Sequence, residues 1–360
     1  VTTVAPAPPP GAAAQDPVPE PPSPSARLRS ALPLRYVLRR LAGTAGLLVV
    51  LSVAVFALVR VAPGDPARTL LGTRSATPSA LAAVRARYHL DDPLAAQYGH
   101  WLLDALHGDL GTSIRTGESV STALGDRLAI TAELVGLGFA VALLLGLPLG
   151  VLAGLRARRA ADRAVQALGV IALSTPAFAG GLLLIYAFSL MLGWLPAYGP
   201  GTGGAGDRLL HLVLPSVTLG LAVTAVLIKL TRAAVVRELA REHVTFALAR
   251  GVPVRTVTVR YVLRGALVPV TTGIGLVLAY LLAGTVMVEQ VFALPGLGQL
   301  LVDSVTFRDV PVVQAEALLV AALVCLANLV TDLTHPLADP RLRPAPVARR
   351  VRSAARKGQS

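Results

Sequence analysis

The 360-residue sequence is poor in charge, with only 15% Asp, Glu, Lys and Arg, where soluble domains carry nearer one quarter. That shortfall excludes an ordinary soluble enzyme. The 54% hydrophobic content excludes a disordered chain, which buries too little apolar surface to fold. Aromatic residues make up 4%, and there are two lysines against 31 arginines. The net charge of +13 could suit nucleic acid, but few aromatics accompany it and long uncharged runs interrupt it. A membrane environment is the better reading, with no nucleic-acid partner. The single cysteine, Cys325, allows no intrachain disulfide. Catalytic signatures are missing too. There is no H-E-x-x-H, C-x-x-C or G-x-S-x-G, and neither Lys229 nor Lys357 lies in a G-x-x-x-x-G-K-[ST] phosphate loop. No enzymatic chemistry, bound cofactor or metal ligand is therefore assigned to this chain.

What is abundant is uninterrupted apolar sequence. Crossing a bilayer core takes about 20 mostly apolar residues in a helix, and six stretches qualify: Leu41–Val59, Ala129–Leu155, Ala167–Leu192, Leu209–Leu230, Gly265–Val288 and Val312–Leu333. The predicted fold class is all-α, a polytopic membrane protein of six spans. The fourth is the weakest, because His211, Pro215 and Lys229 fall within it. Pro148 and Pro176 interrupt the second and third, and broken helices are tolerated where they face protein or a cavity. Glu133 stands one turn inside the second span beside Thr131. It either reaches the interface and pairs with an arginine such as Arg127, or lines a polar passage with Thr131 and Pro176.

Four segments, 1–40, 156–163, 229–264 and 334–360, hold 24 Lys and Arg with 6 acids; the alternate segments 60–128, 193–208 and 289–311 hold 9 Arg with 11 acids. Basic loops remain cytoplasmic, so both ends of the chain are expected inside. The first span follows a 40-residue leader and is too long for a signal h-region, so it is expected to stay. Residues 1–33 form a Pro-rich tail expected to be disordered in the cytoplasm. Residues 34–128 comprise the first span and an external helical loop, 129–333 the membrane core, and 334–360 a basic tail able to lie on anionic lipid.

In the external loop, Thr77-Pro78 and Asp92-Pro93 are helix starts. Leu94, Tyr98, Trp101, Leu102, Ala105 and Leu106 recur at helical spacing before Gly108. The loop reads as an amphipathic cap or a surface for a soluble partner. His89, His100 and His107 share it, but a metal site wants a tighter cluster with carboxylates. In the inner segment between the fourth and fifth spans, 231–250 is free of Pro and Gly and predicts one helix, stopped at Gly251 and restarted at Val252-Pro253. This is either a solvated basic connection or a helix that docks into a groove on a partner. Val244, Phe246, Ala247 and Leu248 leave it apolar on both sides, and such a helix must be covered.

The order and spacing of several motifs resemble the permease subunit of bacterial peptide/nickel-type ABC importers, and more narrowly its dipeptide/oligopeptide B-type. The resemblance covers about Leu34–Arg343. It rests on Arg35 to Arg40 before the first span and on Arg60-Val61-Ala62-Pro63-Gly64-Asp65-Pro66 after it. Gly108 to Ser113, Ser174 to Phe178 and Gly193 to Pro196 follow. The strongest matches are EQVFALPGLG from Glu289 to Gly298 and Arg308-Asp309-Val310-Pro311-Val312-Val313-Gln314, and Asp339-Pro340-Arg341 closes the pattern.

The resemblance implies the type I ABC importer fold and a coupling helix within 231–264 that sits in an ATPase cleft. Of the general E-A-A-x-x-x-G signature, only Ala247 and Gly251 match. The looser peptide-branch ending matches Ala247, Ala249, Arg250 and Gly251, with His243 where that branch often has Tyr. His243, Val244, Phe246, Ala247, Ala249, Arg250 and Gly251 are thus the expected ATPase contacts. Gly64, Asp65, Pro66, Asp109, Glu289, Pro295, Gly296, Gly298, Arg308 and Asp309 are the expected outer surface for a binding protein. The implied partners are a C-type permease, two ATP-binding subunits that hold ATP and Mg, an extracytoplasmic binding protein and membrane lipid in the bacterial inner membrane. Substrate identity is open among dipeptides, oligopeptides, nickel chelates and glutathione. An autonomous secondary transporter or channel, or a non-transporting scaffold, is the alternative; the first usually carries midplane carboxylates, which are not visible here.

Overall fold

The computed structural model describes residues 34–61, 65–71, 77–87 and 89–338. Gly64, the 1–33 tail, residues 339–360 and the Asp339-Pro340-Arg341 motif lie outside them. The chain forms two units, and the second, Arg40–Arg343, carries the architecture described below. Among the described residues the elements are helical. They are α1 (Leu34–Val61), α2 (Pro66–Leu71), α3 (Pro78–Arg87), α4 (Leu94–Leu106), α5 (Val120–Leu155), α6 (Ala160–Ser174), α7 (Ala177–Met191), α8 (Ala205–Leu239), α9 (Glu242–Ala249), α10 (Val254–Phe292), α11 (Leu297–Thr306) and α12 (Val310–Ala338). The helix of the sixth expected span continues five residues past Leu333, to Ala338.

Among the described residues, five helices are long and apolar enough to cross a membrane: those containing the first, second, fourth, fifth and sixth expected spans. The third is different. It is a pair, α6 and α7, bent by 103° at Ser174–Ala177. Pro176 is the cause: it lacks an N–H and pushes the preceding residue out of helical geometry. Thr175 accordingly adopts φ −86° and ψ 117°. The second half of α7, Ile185–Met191, is wound as a π-helix.

Helix α8, the weakest of the expected spans, is the most deeply buried of the five. Its polar residues mislead because they are enclosed. Thr218 and Thr224 donate to the carbonyls of Leu214 and Gly220 one turn back, at 2.8 and 2.7 Å, so they expose no unpaired hydroxyl. Two neighbours approach α8 through faces of small residues. On α5, Gly138, Ala142, Gly146, Gly150 and Gly154 recur every fourth residue. They meet α8 residues in constant register: Gly138 lies against Leu219, Gly146 against Leu227, Gly150 against Thr231 and Gly154 against Val235. The register rises together on both helices, so they run parallel. On α10 the register falls as α8 rises, with Gly265 at Glu238, Gly273 at Leu230 and Gly284 at Leu219, so this pair is antiparallel. Small-residue faces let backbones approach closely, the means by which membrane helices gain packing where burial from water contributes little. A Cβ at Gly150 would stand 2.6 Å from the Thr231 Cβ and 3.0 Å from the Ile228 carbonyl.

Helix α1 is mostly open within this chain. Its described contacts include Phe56 edge-on to Tyr98 at 5.5 Å, Ser52 Oγ 2.8 Å from the Tyr98 hydroxyl, and Arg40 paired with Asp332 of α12 at 2.6 Å.

Candidate coupling and translocation sites

At one end of the bundle, α8 and α10 are joined through α9. The uninterrupted helix expected over 231–250 is broken at Ala240–Arg241. The break is made by Glu238, whose carbonyl accepts from Arg241 N at 3.1 Å and whose carboxyl pairs with the Arg241 guanidinium at 3.2 Å. Glu238 is buried, and the Gly265 backbone lies so close that a Cβ there would fall 2.5 Å from its Cδ. The other end of α9 closes with Gly251 N on Leu248 O at 2.9 Å and Val252 N on Ala247 O at 3.1 Å. These two bonds make a Schellman stop, which needs a left-handed residue at C′, and Gly251 has φ +77°.

The two faces of α9 differ. Val244 and Ala247, expected to be exposed, are buried among Ala234, Val235, Val257, Val262 and Ala266. Phe246, at 67% exposure, and Leu248 remain open, with His243, Ala249 and Arg250 beside them. Packing on one side therefore fixes α9 while the other presents an uncovered apolar patch. His243 lies 6.2 Å, ring to ring, from Tyr261 at the base of α10.

Nearby, Asp162 at the start of α6 is 1% exposed and grips Arg232 of α8 with two bonds, Nε to Oδ1 at 2.6 Å and Nη2 to Oδ2 at 2.8 Å. The Arg158 N–H and the Gln166 amide also donate to Asp162. This clamp ties the broken span to the central helix. Sequence reasoning counted Asp162 only as loop charge.

At the opposite end, the EQVFALPGLG motif folds around its own acid. Glu289, expected on an outer docking surface, is 0% exposed. Its Oε1 accepts from the Thr131 hydroxyl at 2.7 Å and its Oε2 from Gln299 N at 3.1 Å. Thr131 in turn accepts from Leu297 N at 2.8 Å. Thr131, expected on the substrate route, is therefore enclosed in this knot. Gly296 and Gly298 are enclosed with it: a Cβ on Gly296 would collide with the Glu289 carboxyl, and one on Gly298 with the Val286 backbone, beside Glu289 Oε2. Glu316 of α12 is buried alongside, within electrostatic reach of Glu289 and Arg127.

Asp309 is buried as well, accepting from Ser113 Oγ, from Ile114 N at 3.1 Å and from Arg115 N at 3.4 Å. It is a fastener between the segments carrying Ser113–Arg115 and Asp309. Burial thus removes Glu289, Gly296, Gly298 and Asp309 from the expected outer surface. Asp109, Pro295 and Arg308 are exposed and Asp65 is half-buried; the Pro66 side chain lies outside the described residues. Glu133 is exposed and pairs with Arg208 at 2.6 Å rather than with Arg127, whose guanidinium donates to Ala123 O. Pro176 is exposed at the elbow between α6 and α7. The signal that could have located the knot is the pairing of an acid with two glycines that leave room for it.

Residues 146–344 match a family model described as binding-protein-dependent transport system inner membrane component, and residues 33–135 match its N-terminal companion. The glutathione transport system permease protein GsiC of Salmonella choleraesuis is 41% identical over 310 residues, which cover 86% of this chain and 99% of that protein. GsiC of Escherichia coli K12 is 40% identical over the same shares. A solved inward-facing structure of the MetNI methionine ABC transporter aligns with TM-score 0.50 at 19% identity, covering 60% of this chain and 96% of that one; this is a likeness of fold.

Proposed function

Because the chain belongs to the binding-protein-dependent transport system inner membrane component family, we propose that α9 is its coupling helix and that a small peptide-like solute is its cargo. The chain is a multi-pass inner-membrane protein, the permease subunit of an ATP-driven importer. It is a transport subunit and no enzyme; ATP is hydrolysed by a separate subunit.

The observation that carries the coupling reading is the division of α9 into a buried and an open face. Phe246 and Leu248 insert into a groove of the ATPase partner, while Val244 and Ala247 fasten the helix to α8 and α10. Two such partners bind ATP and Mg, and a second, C-type permease completes the pore. Their closure pushes α9, and the bundle tips between inward- and outward-open states. An extracytoplasmic binding protein delivers cargo to the side carrying α2–α4 and α11. The basic segments flanking the spans, including both chain ends, face the cytoplasm. The relatives named for glutathione transport favour a short peptide with free carboxylates over a nickel chelate.

The test is ATP-driven uptake by the assembled importer, comparing glutathione, dipeptides, longer peptides and nickel. Phe246→Asp with Leu248→Asp is expected to release the ATPase on purification and abolish uptake. Retained ATPase and unchanged uptake would overturn the coupling assignment, and uptake of nickel in preference to every peptide would overturn the cargo.

A further inference from the structure

We propose that His89, Asp92 and His100 form a binding site for one divalent transition-metal ion, zinc being the ion whose coordination the donors fit best. The sequence offers three separated histidines, with Asp91 and Asp92 just after the first. The structure brings one of these carboxylates to two of the rings. The turn between α3 and α4 folds so that Nδ1 of His89 and Nδ1 of His100 face the same oxygen, Asp92 Oδ2, at 3.3 and 3.9 Å. One donor atom from each of the three residues lies within 4.8 Å of the other two. A tetrahedral ion with donors at about 2.0–2.2 Å holds neighbouring donors about 3.3–3.6 Å apart. The first pair already has that spacing, and the second needs a closure of a few tenths of an ångström.

The turn is held independently of the imidazoles. Gln97, buried at the start of α4, donates from Nε2 to the carbonyls of Leu90 at 3.0 Å and Asp92 at 2.7 Å. Asp92 N bonds His89 O at 3.1 Å, and Leu90 N bonds Arg85 O at 3.0 Å. His89 sits at φ +51°, a left-handed conformation in which His is enriched and which turns its ring toward His100, with centroids 4.3 Å apart. His107 stands outside the group of three, with its Nδ1 2.7 Å from Leu103 O.

Two imidazoles and one carboxylate suit zinc, nickel or copper over magnesium or calcium. Three protein donors leave a fourth position for water. The ion would lock the α3–α4 turn above α1, to which Tyr98 is bonded.

The test uses the full chain without a histidine tag, stripped by chelator and titrated with Zn²⁺ alone, with Mg²⁺ as the hard-cation control. One saturable Zn²⁺ per chain is expected and no Mg²⁺ at the same concentrations. His100→Ala and Asp92→Asn should each weaken binding by about tenfold or more, and His107→Ala should leave it unchanged. Co²⁺ in the wild-type chain should give the intense visible absorption of a tetrahedral site, a readout that stands even where a variant fails to fold. Absence of saturable Zn²⁺ and of that spectrum, or binding unaltered in the His89→Ala, Asp92→Asn, His100→Ala triple variant, would overturn the site.

Discussion

Replacing Thr131 with Val tests whether the loop carrying Leu297 and Gln299 is held by the knot around Glu289. The side chains have nearly the same shape, so the change opens no cavity and isolates the hydroxyl. That hydroxyl gives one bond to Glu289 Oε1 and takes one from Leu297 N, both deep inside the protein. Its loss leaves the Leu297 N–H unpaired, at about 1–3 kcal/mol, and removes a bond to a carboxyl group of similar worth. Allowing for partial relaxation, the loop is destabilised by about 2–4 kcal/mol. Tenfold in an opening equilibrium corresponds to about 1.4 kcal/mol, so local opening becomes roughly 30- to 700-fold more frequent. Hydrogen exchange of the segment carrying residues 294–300, measured by mass spectrometry on the purified chain, reads this directly. Thr131→Ser, which keeps the hydroxyl, should exchange nearly as the wild type does. Exchange in Thr131→Val within threefold of wild type would refute the account of the knot.

Three further outcomes are expected. Gly150→Leu should separate α5 from α8, because the obstructing atoms include the Ile228 backbone carbonyl. A loss of about 1–3 kcal/mol should appear as a lower thermal midpoint, and an unchanged midpoint contradicts the close register. Asp162→Asn and Arg232→Gln, combined in a double-mutant cycle, should show a coupling of about 1.5–3 kcal/mol, since the carboxylate is buried and the guanidinium largely so. Additive effects would mean that the clamp contributes nothing. Gly251→Ala should cost about 1–2 kcal/mol from its left-handed backbone, and Gly251→Asn distinctly less. In the assembled importer the Ala variant should hydrolyse ATP with reduced transport per turnover, and equal coupling in both would refute the role of the stop.

The spans that read most clearly, α5, α10 and α12, are those in which apolar residues dominate every turn. Helix α8 reads weakly because His211, Pro215 and Lys229 fall within it. Yet Pro215, Ser216, Thr218 and Thr224 are buried, and the Thr218 and Thr224 hydroxyls bond to carbonyls one turn back, an enclosure that no window over the sequence contains. Pro176 marks an interruption in the sequence and causes the elbow, but its 103° angle is legible only in the structure. The break at Ala240–Arg241 carries neither Gly nor Pro. It is closed by Glu238, whose carbonyl and carboxyl both engage Arg241, with Val244 and Ala247 packed in one cluster with Val257 and Val262. Glu289 and Thr131 are 158 positions apart, as Asp309 and Ser113 are 196 apart. A buried acid with distant partners looks in the sequence like a surface acid beside a loop.

Helix α10 runs without a break in helix from the base of α9 to Phe292, three residues beyond Glu289. At 1.5 Å per residue its 39 residues extend roughly 58 Å. One end bears on the segment a motor would push, and the other carries the acid around which the far loop is tied. Such a long arm converts a few degrees of rocking at one extremity into several ångström of travel at the other. On the proposed coupling role of α9, the distant loop would move with its root, with no relay of intermediate elements to carry the signal.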